Sequence, residues 1–158
     1  MQLPSEQLRL EISQEHKVNL EQYAWSDEFK EQVFAIRLDK ELEHSADTLS
    51  EIYKYGYNIG HCGLTSRYLI RTYEHSTLCY GKSKLLVGTD SSPNGEHAWL
   101  NMDEQIVDTT LMISIPIEKA EELGYYTERT IAPISARELS EYDIYEREFI
   151  KHKQYIKK

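Results

Sequence analysis

Cysteine is scarce in this chain of 158 residues, which contains only Cys62 and Cys79. Their local settings differ, and two such thiols do not make the disulfide framework of a small secreted domain. The chain also lacks the Cys-x-x-Cys and His-x-x-x-His spacings that pre-organise metal sites. A zinc site assembled from Cys62, His75, Cys79 and His97 is therefore disfavoured. The sequence predicts neither a metal nor a cofactor.

Long apolar runs are missing as well. No stretch approaches the roughly 18 residues that a membrane-spanning helix needs. The first residues, Met-Gln-Leu-Pro-Ser-Glu, have neither the basic nor the apolar segment of a secretory signal. Lys and Arg number 18 against 27 Asp and Glu, so the net charge is -9, and such a surface repels phosphate backbones and anionic lipids. We expect a cytoplasmic protein that binds neither nucleic acid nor membranes.

The length and composition are those of one globular domain. A chain of 158 residues with 40% hydrophobic residues can bury a core of its own without disulfides or metals. We predict a single domain over residues 1–158. It divides into a helical N-terminal part at 1–56, a core at 57–134 and a C-terminal helix at 135–158.

Helical patterns dominate the first part of the chain. Ser5 is a candidate cap for a helix through about His16, and Ser26 precedes an apolar stripe that predicts a helix from about 27 to 43. Ser45 opens a shorter helix that ends near Gly56. These stripes of Leu, Phe and Tyr are typical of a core, and no function is assigned to them.

Later in the chain, short β-type runs replace the helical patterns. The predicted strands are Lys84–Gly88, Glu96–Met102, Gln105–Thr110 and Tyr125–Ile131. Pro116 fits the first position of a helix to about Leu123, and a capping box at Ser135 opens a long terminal helix. This order of elements predicts an α+β fold in which helices cover a small antiparallel sheet.

Cys62 lies at the start of a predicted helix. It follows Gly60-His61, and a helical apolar pattern begins at Leu64. The positive end of a helix and its unpaired N–H groups favour a thiolate over a thiol, and the thiolate is the nucleophilic form. Cys62 is therefore the candidate nucleophile. Cys79, set among apolar neighbours, is predicted to be a buried spectator.

His97 and Asp108 are candidates for the base and for the acid that orients it. They lie on two predicted strands joined by a short connection, which indicates a hairpin. A two-residue loop at Asp103-Glu104 would place them diagonally on one face of the sheet, and a four-residue loop at 101–104 would place them directly opposite. Both alternatives bring the two side chains together.

Residues 58–111 resemble the transglutaminase-like superfamily, whose members are related to the papain-like thiol enzymes. The resemblance is carried by Gly60-His-Cys62 at a helix start, His97-Ala-Trp99 on one strand and Val107-Asp-Thr109 on the next. It implies a papain-like α+β fold in which Cys62, His97 and Asp108 are nucleophile, base and orienting acid. The chain departs from the family's pattern around the acid, where it has Glu104-Gln105 before Asp108 and Thr109 after it.

The resemblance implies thiol-dependent acyl transfer or hydrolysis at an amide or ester carbonyl, as in peptidases, deamidases and transglutaminases. A protein or peptide substrate is expected, and a small acyl or amide substrate is an alternative. The second hypothesis is a catalytically degenerate scaffold of the same fold that binds proteins. Cys62→Ala separates the two hypotheses, since binding would survive it and acyl transfer would not.

Further residues are predicted to surround the triad. The Cys62 backbone N–H is a natural oxyanion donor, and Tyr57 or Asn58 is a candidate for the second donor. His61 and Trp99 are expected to line the cleft. We further expect the Cys62 sulfur within about 4 Å of one His97 ring nitrogen and Asp108 within about 3.5 Å of the other.

Overall fold

A computed structural model describes residues 4–34, 76–89 and 92–131. These ranges contain helices followed by a sheet, so the described chain is α+β, as the sequence predicted. The α-helices are α1 (Pro4–His16), α2 (Asp27–Phe34) and α3 (Ile117–Ala120), and 3-10 helices span Leu20–Tyr23 and Lys84–Leu86. The strands are β1 (Thr77–Ser83), β2 (Glu96–Met102), β3 (Gln105–Asp108), β4 (Ile113–Pro116) and β5 (Tyr125–Ile131).

The five strands form one sheet in the order β4-β3-β2-β1-β5, and all four pairings are antiparallel. The central strand, β2, is therefore the strand that carries His97. Strand β5, the last described strand, pairs with β1, with an irregularity between Tyr80 and Gly81. At Gly81 a Cβ atom would collide with the backbone carbonyl of Tyr126, so the close approach of the two strands requires glycine here.

Helix α1 and the first 3-10 helix cover one face of the sheet. Their buried residues Ile12 and Leu20 belong to the same core cluster as Trp99, Ile106 and other inward residues of the strands. The opposite face is buried as well, because Leu78, Tyr80, Leu100 and Val107 are nearly inaccessible. Strands that are buried on both faces lose the alternation of polar and apolar residues that marks a half-exposed strand.

The two N-terminal helices begin close to their predicted starts. Helix α1 begins at Pro4, so Ser5 lies inside the first turn and is buried there; proline suits a first turn because its missing N–H would have no partner in the helix. For α2, Ser26 is the cap, since its Oγ accepts a 3.1 Å hydrogen bond from the Phe29 N–H. The predicted continuation of this helix to residue 43 lies outside the described residues.

Three predictions for the core region need correction. The run Lys84–Gly88 is not a strand, because residues 84–86 form a 3-10 helix with Leu85 and Leu86 both buried. A short apolar run does not by itself distinguish strand from helix. The helix after Pro116 covers only Ile117–Ala120. Strand β3 ends at Asp108 instead of Thr110, because the Asp108 side chain accepts hydrogen bonds from the turn that follows.

Other predicted elements lie outside the described residues. These are the helix at Ser45–Gly56, the helix that follows Cys62 and the terminal helix from Ser135. The three-part division of residues 1–158 includes these segments and stays a prediction. Within the described ranges, no helix is both long and apolar enough to cross a membrane.

Candidate active site

A tight hairpin between β2 and β3 sets the geometry of the site. Met102 pairs with Gln105, so the loop consists of Asp103 and Glu104 alone. Both loop residues have positive φ, 51° and 59°, as a type I′ turn requires. The two-residue alternative for the hairpin is therefore confirmed. Side chains alternate along each strand, and this register puts position 97 on the same face as position 108 and diagonal to it.

His97 and Asp108 are in direct contact across these strands. His97 Nε2 lies 2.7 Å from Asp108 Oδ2, and both side chains are almost completely buried. The prediction that the two residues share a face and that Asp108 approaches one ring nitrogen is confirmed. With the carboxylate ionised, Nε2 carries the proton of this hydrogen bond. In the neutral imidazole, Nδ1 is then the basic nitrogen.

Four donors surround the Asp108 carboxylate. Oδ1 accepts the backbone N–H groups of Thr110 and Leu111, each at 3.0 Å. Oδ2 accepts the Tyr125 hydroxyl at 2.6 Å in addition to the His97 ring. A carboxylate offers about four lone-pair sites, and here each oxygen has two donors. The side chain is thus fixed in orientation by the turn on one side and by the ring and phenol on the other.

These contacts decide the ionisation of the pair. Burial raises the pKa of Asp108, but the charge of His97 and the hydrogen bonds from His97, Tyr125 and Leu111 outweigh burial, so the pKa lies below the ordinary value of 3.8. Burial, reinforced by the negative charge of Asp108, holds the pKa of Tyr125 well above its usual value of 10.0. Asp108 is therefore an anion and Tyr125 a neutral donor over the physiological pH range.

Tyr125 was not predicted to be a site residue. It is the first residue of β5 and pairs with Ser83 of β1, so it reaches Asp108 only through a sheet pairing between distant parts of the chain. Gly124 before it, with φ of 84°, is a local sign of a turn into a strand. No local pattern predicts which side of that strand meets the acid.

Trp99 packs beside the dyad. Its ring lies 5.1 Å from that of Tyr125 in an edge-to-face arrangement and 5.9 Å from that of His97. Trp99 was expected to line a cleft, but it is fully buried in the core cluster. The large ring therefore shields the His97–Asp108 pair from water on this side.

Arg9 connects helix α1 to the turn that holds Asp108. Its Nη1 donates to the Leu111 carbonyl oxygen at 2.9 Å, while Nε donates to Glu21 at 2.8 Å. The guanidinium is buried, whereas the Glu21 side chain is about half exposed. The N–H of the same residue, Leu111, donates to Asp108 Oδ1. Arg9 therefore contacts the backbone that supports the carboxylate.

Cys79 has the character of a structural thiol, and its predicted burial is confirmed. It is free of any disulfide and completely inaccessible on β1. Burial raises the pKa of Cys79 from 9.0 to about 11, so the thiol stays protonated and unreactive at neutral pH. Within the described ranges, no three His, Cys, Asp or Glu side chains are grouped to hold a metal ion.

The predicted nucleophile lies outside the described residues. This applies to Cys62 and to the candidate cleft residues Tyr57, Asn58 and His61, as well as to His75. The expected distance between the Cys62 sulfur and His97 therefore stays a prediction. The base and the acid of the expected triad are brought together, and Tyr125 joins them.

Comparisons with protein-family models, with curated proteins and with solved structures found no match to this chain. Any function assigned to it must therefore follow from the chemistry of its own side chains.

Proposed function

We propose that this protein is a thiol-dependent enzyme that transfers or hydrolyses acyl groups at an amide or ester carbonyl, with Cys62 as nucleophile, His97 as base and Asp108 as orienting acid. The observation that carries the proposal is the buried contact of 2.7 Å between His97 Nε2 and Asp108 Oδ2. A histidine oriented by a carboxylate is the base that activates serine and cysteine nucleophiles on unrelated folds.

In the proposed reaction, Cys62 first gives its proton to His97 Nδ1, while Nε2 keeps its hydrogen bond to Asp108. The thiolate attacks the carbonyl carbon and a C–S bond forms. The leaving amine or alcohol takes the proton from Nδ1 as its bond to carbon breaks, which leaves a thioester on Cys62. Water or a second amine then gives a proton to Nδ1 and attacks the thioester. The C–S bond breaks, the acid or the new amide is released, and the sulfur takes the proton back from Nδ1, which regenerates the thiol.

Burial of the dyad supports this role. Asp108 keeps its charge because four donors compensate its desolvation, and a buried anion stabilises an adjacent imidazolium more strongly than an exposed one. The imidazolium is the species that forms when His97 takes the proton of the nucleophile. The arrangement thus favours the charged intermediate on which acyl transfer depends.

We propose a transglutaminase-like fold for the whole domain. The proposal is supported by the order Cys62, His97, Asp108 along the chain and by the placement of the last two on adjacent antiparallel strands. Substrates are proposed to be proteins or peptides, with small amides or esters as the alternative. The net charge of -9 argues against nucleic-acid and anionic membrane partners.

The proposal is tested by measuring the intact mass of the protein after exposure to a reagent that transfers an acyl group to reactive thiols. Wild type should gain one acyl group, Cys62→Ala should gain none, and the matched control Cys79→Ala should label like wild type. Because an activated thiolate reacts well below the ordinary thiol pKa of about 8.5, labelling should persist near pH 6.

Two results would contradict the proposal that this protein is an enzyme. One is equal labelling of both cysteines in the folded protein. The other is labelling of Cys62 at the same rate in wild type and in a folded His97→Ala variant. Either result would mean that Cys62 is an ordinary thiol, and the hypothesis of a non-catalytic scaffold for protein binding would then be favoured.

A further inference from the structure

Asp108 Oδ2 is shared by two donors that come from different strands of the sheet. His97 Nε2 approaches it from β2 at 2.7 Å, and the Tyr125 hydroxyl approaches it from β5 at 2.6 Å. The other oxygen is held independently by two backbone N–H groups. The orientation of the carboxylate is therefore fixed from the turn, and Tyr125 is an additional donor at the oxygen that faces the base.

Packing alone does not account for a tyrosine at this position. The ring of Tyr125 is buried against Trp99 with centroids 5.1 Å apart, and a phenylalanine would make the same ring contact. The hydroxyl adds a polar group to a buried position, which is unfavourable unless it is hydrogen-bonded. Here its acceptor is Asp108, the acid of the dyad.

We propose that Tyr125 is a positioning residue that sets the basicity of His97 by sharing Asp108 Oδ2 with it. The consequence for Cys62 rests on the proposed function, whereas the effect on His97 does not. A hydrogen bond from Tyr125 disperses negative charge of the carboxylate, so Asp108 attracts the His97 proton less strongly. His97 then releases its proton more readily to a leaving group than it would beside an unshared carboxylate.

Two titratable side chains of the described ranges contact the Asp108 carboxylate, namely His97 from β2 and Tyr125 from β5. Ser83 of β1 contributes a hydroxyl near the Tyr125 phenol. From α1, the Arg9 guanidinium reaches the Leu111 carbonyl and not the carboxylate itself. Substitution of Tyr125 would thus remove a hydrogen bond to Asp108 Oδ2 without removing a charged side chain.

The first test is a pH titration of the His97 imidazole by NMR in Tyr125→Phe, in wild type and in the matched control Tyr126→Phe. Tyr126 is the next residue of the same strand, and its side chain is 44% exposed. In Tyr125→Phe the His97 midpoint should move to higher pH, corresponding to a rise of about three- to tenfold in proton affinity. In Tyr126→Phe it should not move. Equal midpoints in all three proteins would overturn the proposal.

The same titration in the Cys62→Ala background separates this inference from the proposed function. A shift that persists there supports the role of Tyr125 even if acyl transfer itself fails. In the protein that keeps Cys62, the rate of acyl-probe labelling can be measured as a function of pH. The alkaline limb of this pH–rate profile should move in the same direction as the His97 midpoint. A Tyr125 that is merely structural would change the melting temperature and leave both readouts in place.

A second variant covers the case in which Tyr125→Phe does not fold. Site-specific incorporation of 3-fluorotyrosine at position 125 keeps the hydroxyl and makes it a stronger donor, so His97 should titrate at lower pH. The opposite signs of the two changes are the signature of a shared carboxylate oxygen. A 3-fluorotyrosine protein whose His97 midpoint matches wild type, or lies above it, would overturn the proposal.

Discussion

At the scale of single residues, the site depends on how completely Asp108 is satisfied. A buried carboxylate without donors would take up a proton, and a neutral acid would stabilise an imidazolium poorly. The two backbone N–H groups of the turn, the His97 ring and the Tyr125 phenol prevent this. The sequence allowed the contact between His97 and Asp108 to be predicted, because it depends on local hairpin register. The contact of Tyr125 with Asp108 was not predicted, because it depends on the pairing of strand β5 with β1.

Asp108→Asn should leave the fold intact and reduce acyl-probe turnover on the order of 10³-fold or more. The two backbone N–H groups can only donate, so the asparagine oxygen should stay with them and its NH2 group should face His97 and Tyr125. His97 Nε2 then has to accept, which moves the imidazole proton to Nδ1 and prevents it from taking the proton of Cys62. His97→Ala should abolish turnover.

Labelling rates and thermal melts of the three proteins, measured together, check this prediction. We expect a loss of about 1–3 kcal/mol in the free energy of unfolding for Asp108→Asn, since the charge-assisted hydrogen bonds become neutral ones. If wild type and both variants are folded and label at one rate, Asp108 and His97 have no part in the chemistry.

The ionised Asp108 also predicts how stability depends on pH. Its pKa in the folded protein lies below the value of 3.8 expected for the unfolded chain. The folded state therefore binds this proton less well, so the stabilisation is fully present above that pH and is lost as the pH falls below it. Urea unfolding at a series of acidic pH values should show wild type losing more stability than Asp108→Asn. Parallel pH dependences would mean that Asp108 is not held as an anion.

At the scale of elements, the β2–β3 hairpin determines whether the dyad exists. A shift of its register by one residue would turn Asp108 to the other face of the sheet, away from His97. The shared face was predictable because both the two-residue and the four-residue loop preserve it, but the sequence left the choice between these two registers open, and Asp-Glu is not the usual pair for a type I′ turn. Asp103 and Glu104 both occupy the left-handed region, which is strained for residues that carry a Cβ.

Replacing this turn by Asn-Gly, as D103N/E104G, should raise the free energy of unfolding by about 1 kcal/mol. Both new residues tolerate positive φ, so the same hairpin forms with less strain. Urea denaturation measures the change, and the His97–Asp108 contact should be unaffected. The single substitution Glu104→Ala is the control, because it removes the charge and keeps a Cβ at positive φ. Stabilisation by Glu104→Ala of the same size would attribute the effect to charge.

At the scale of the whole molecule, local signals predicted strands β2, β3 and β5 but missed β1 and the edge strand β4. Strands β2 and β5 begin and end where the sequence placed them. Strand β1 was missed although it pairs with both of them. It is buried over most of its length on both faces and contains Gly81, so it shows neither alternation nor high strand propensity. The position of β1 in the sheet is set by its pairing with β2 and β5.

Arg9 connects helix α1 to the site, and no sequence pattern predicted this contact. Its side chain crosses from α1 to the Leu111 carbonyl, 102 residues along the chain, and is only 3% exposed. The turn from Thr109 to Met112 thus receives a hydrogen bond from the helix on its carbonyl side and gives two to Asp108 on its N–H side. Displacement of α1 should therefore loosen the support of the carboxylate.

Arg9→Met tests this coupling, because methionine keeps the apolar stem and removes the donors. The buried Leu111 carbonyl loses its charged partner, so the free energy of unfolding should fall by about 1–3 kcal/mol. Acyl-probe labelling should slow less than in Asp108→Asn, since the donors on the carboxylate itself remain. The control is Glu21→Gln, which weakens a half-exposed ion pair and should cost less than about 1 kcal/mol. Equal losses in the two variants would place the contribution of Arg9 in its ion pair, and helix α1 would then have no influence on the dyad.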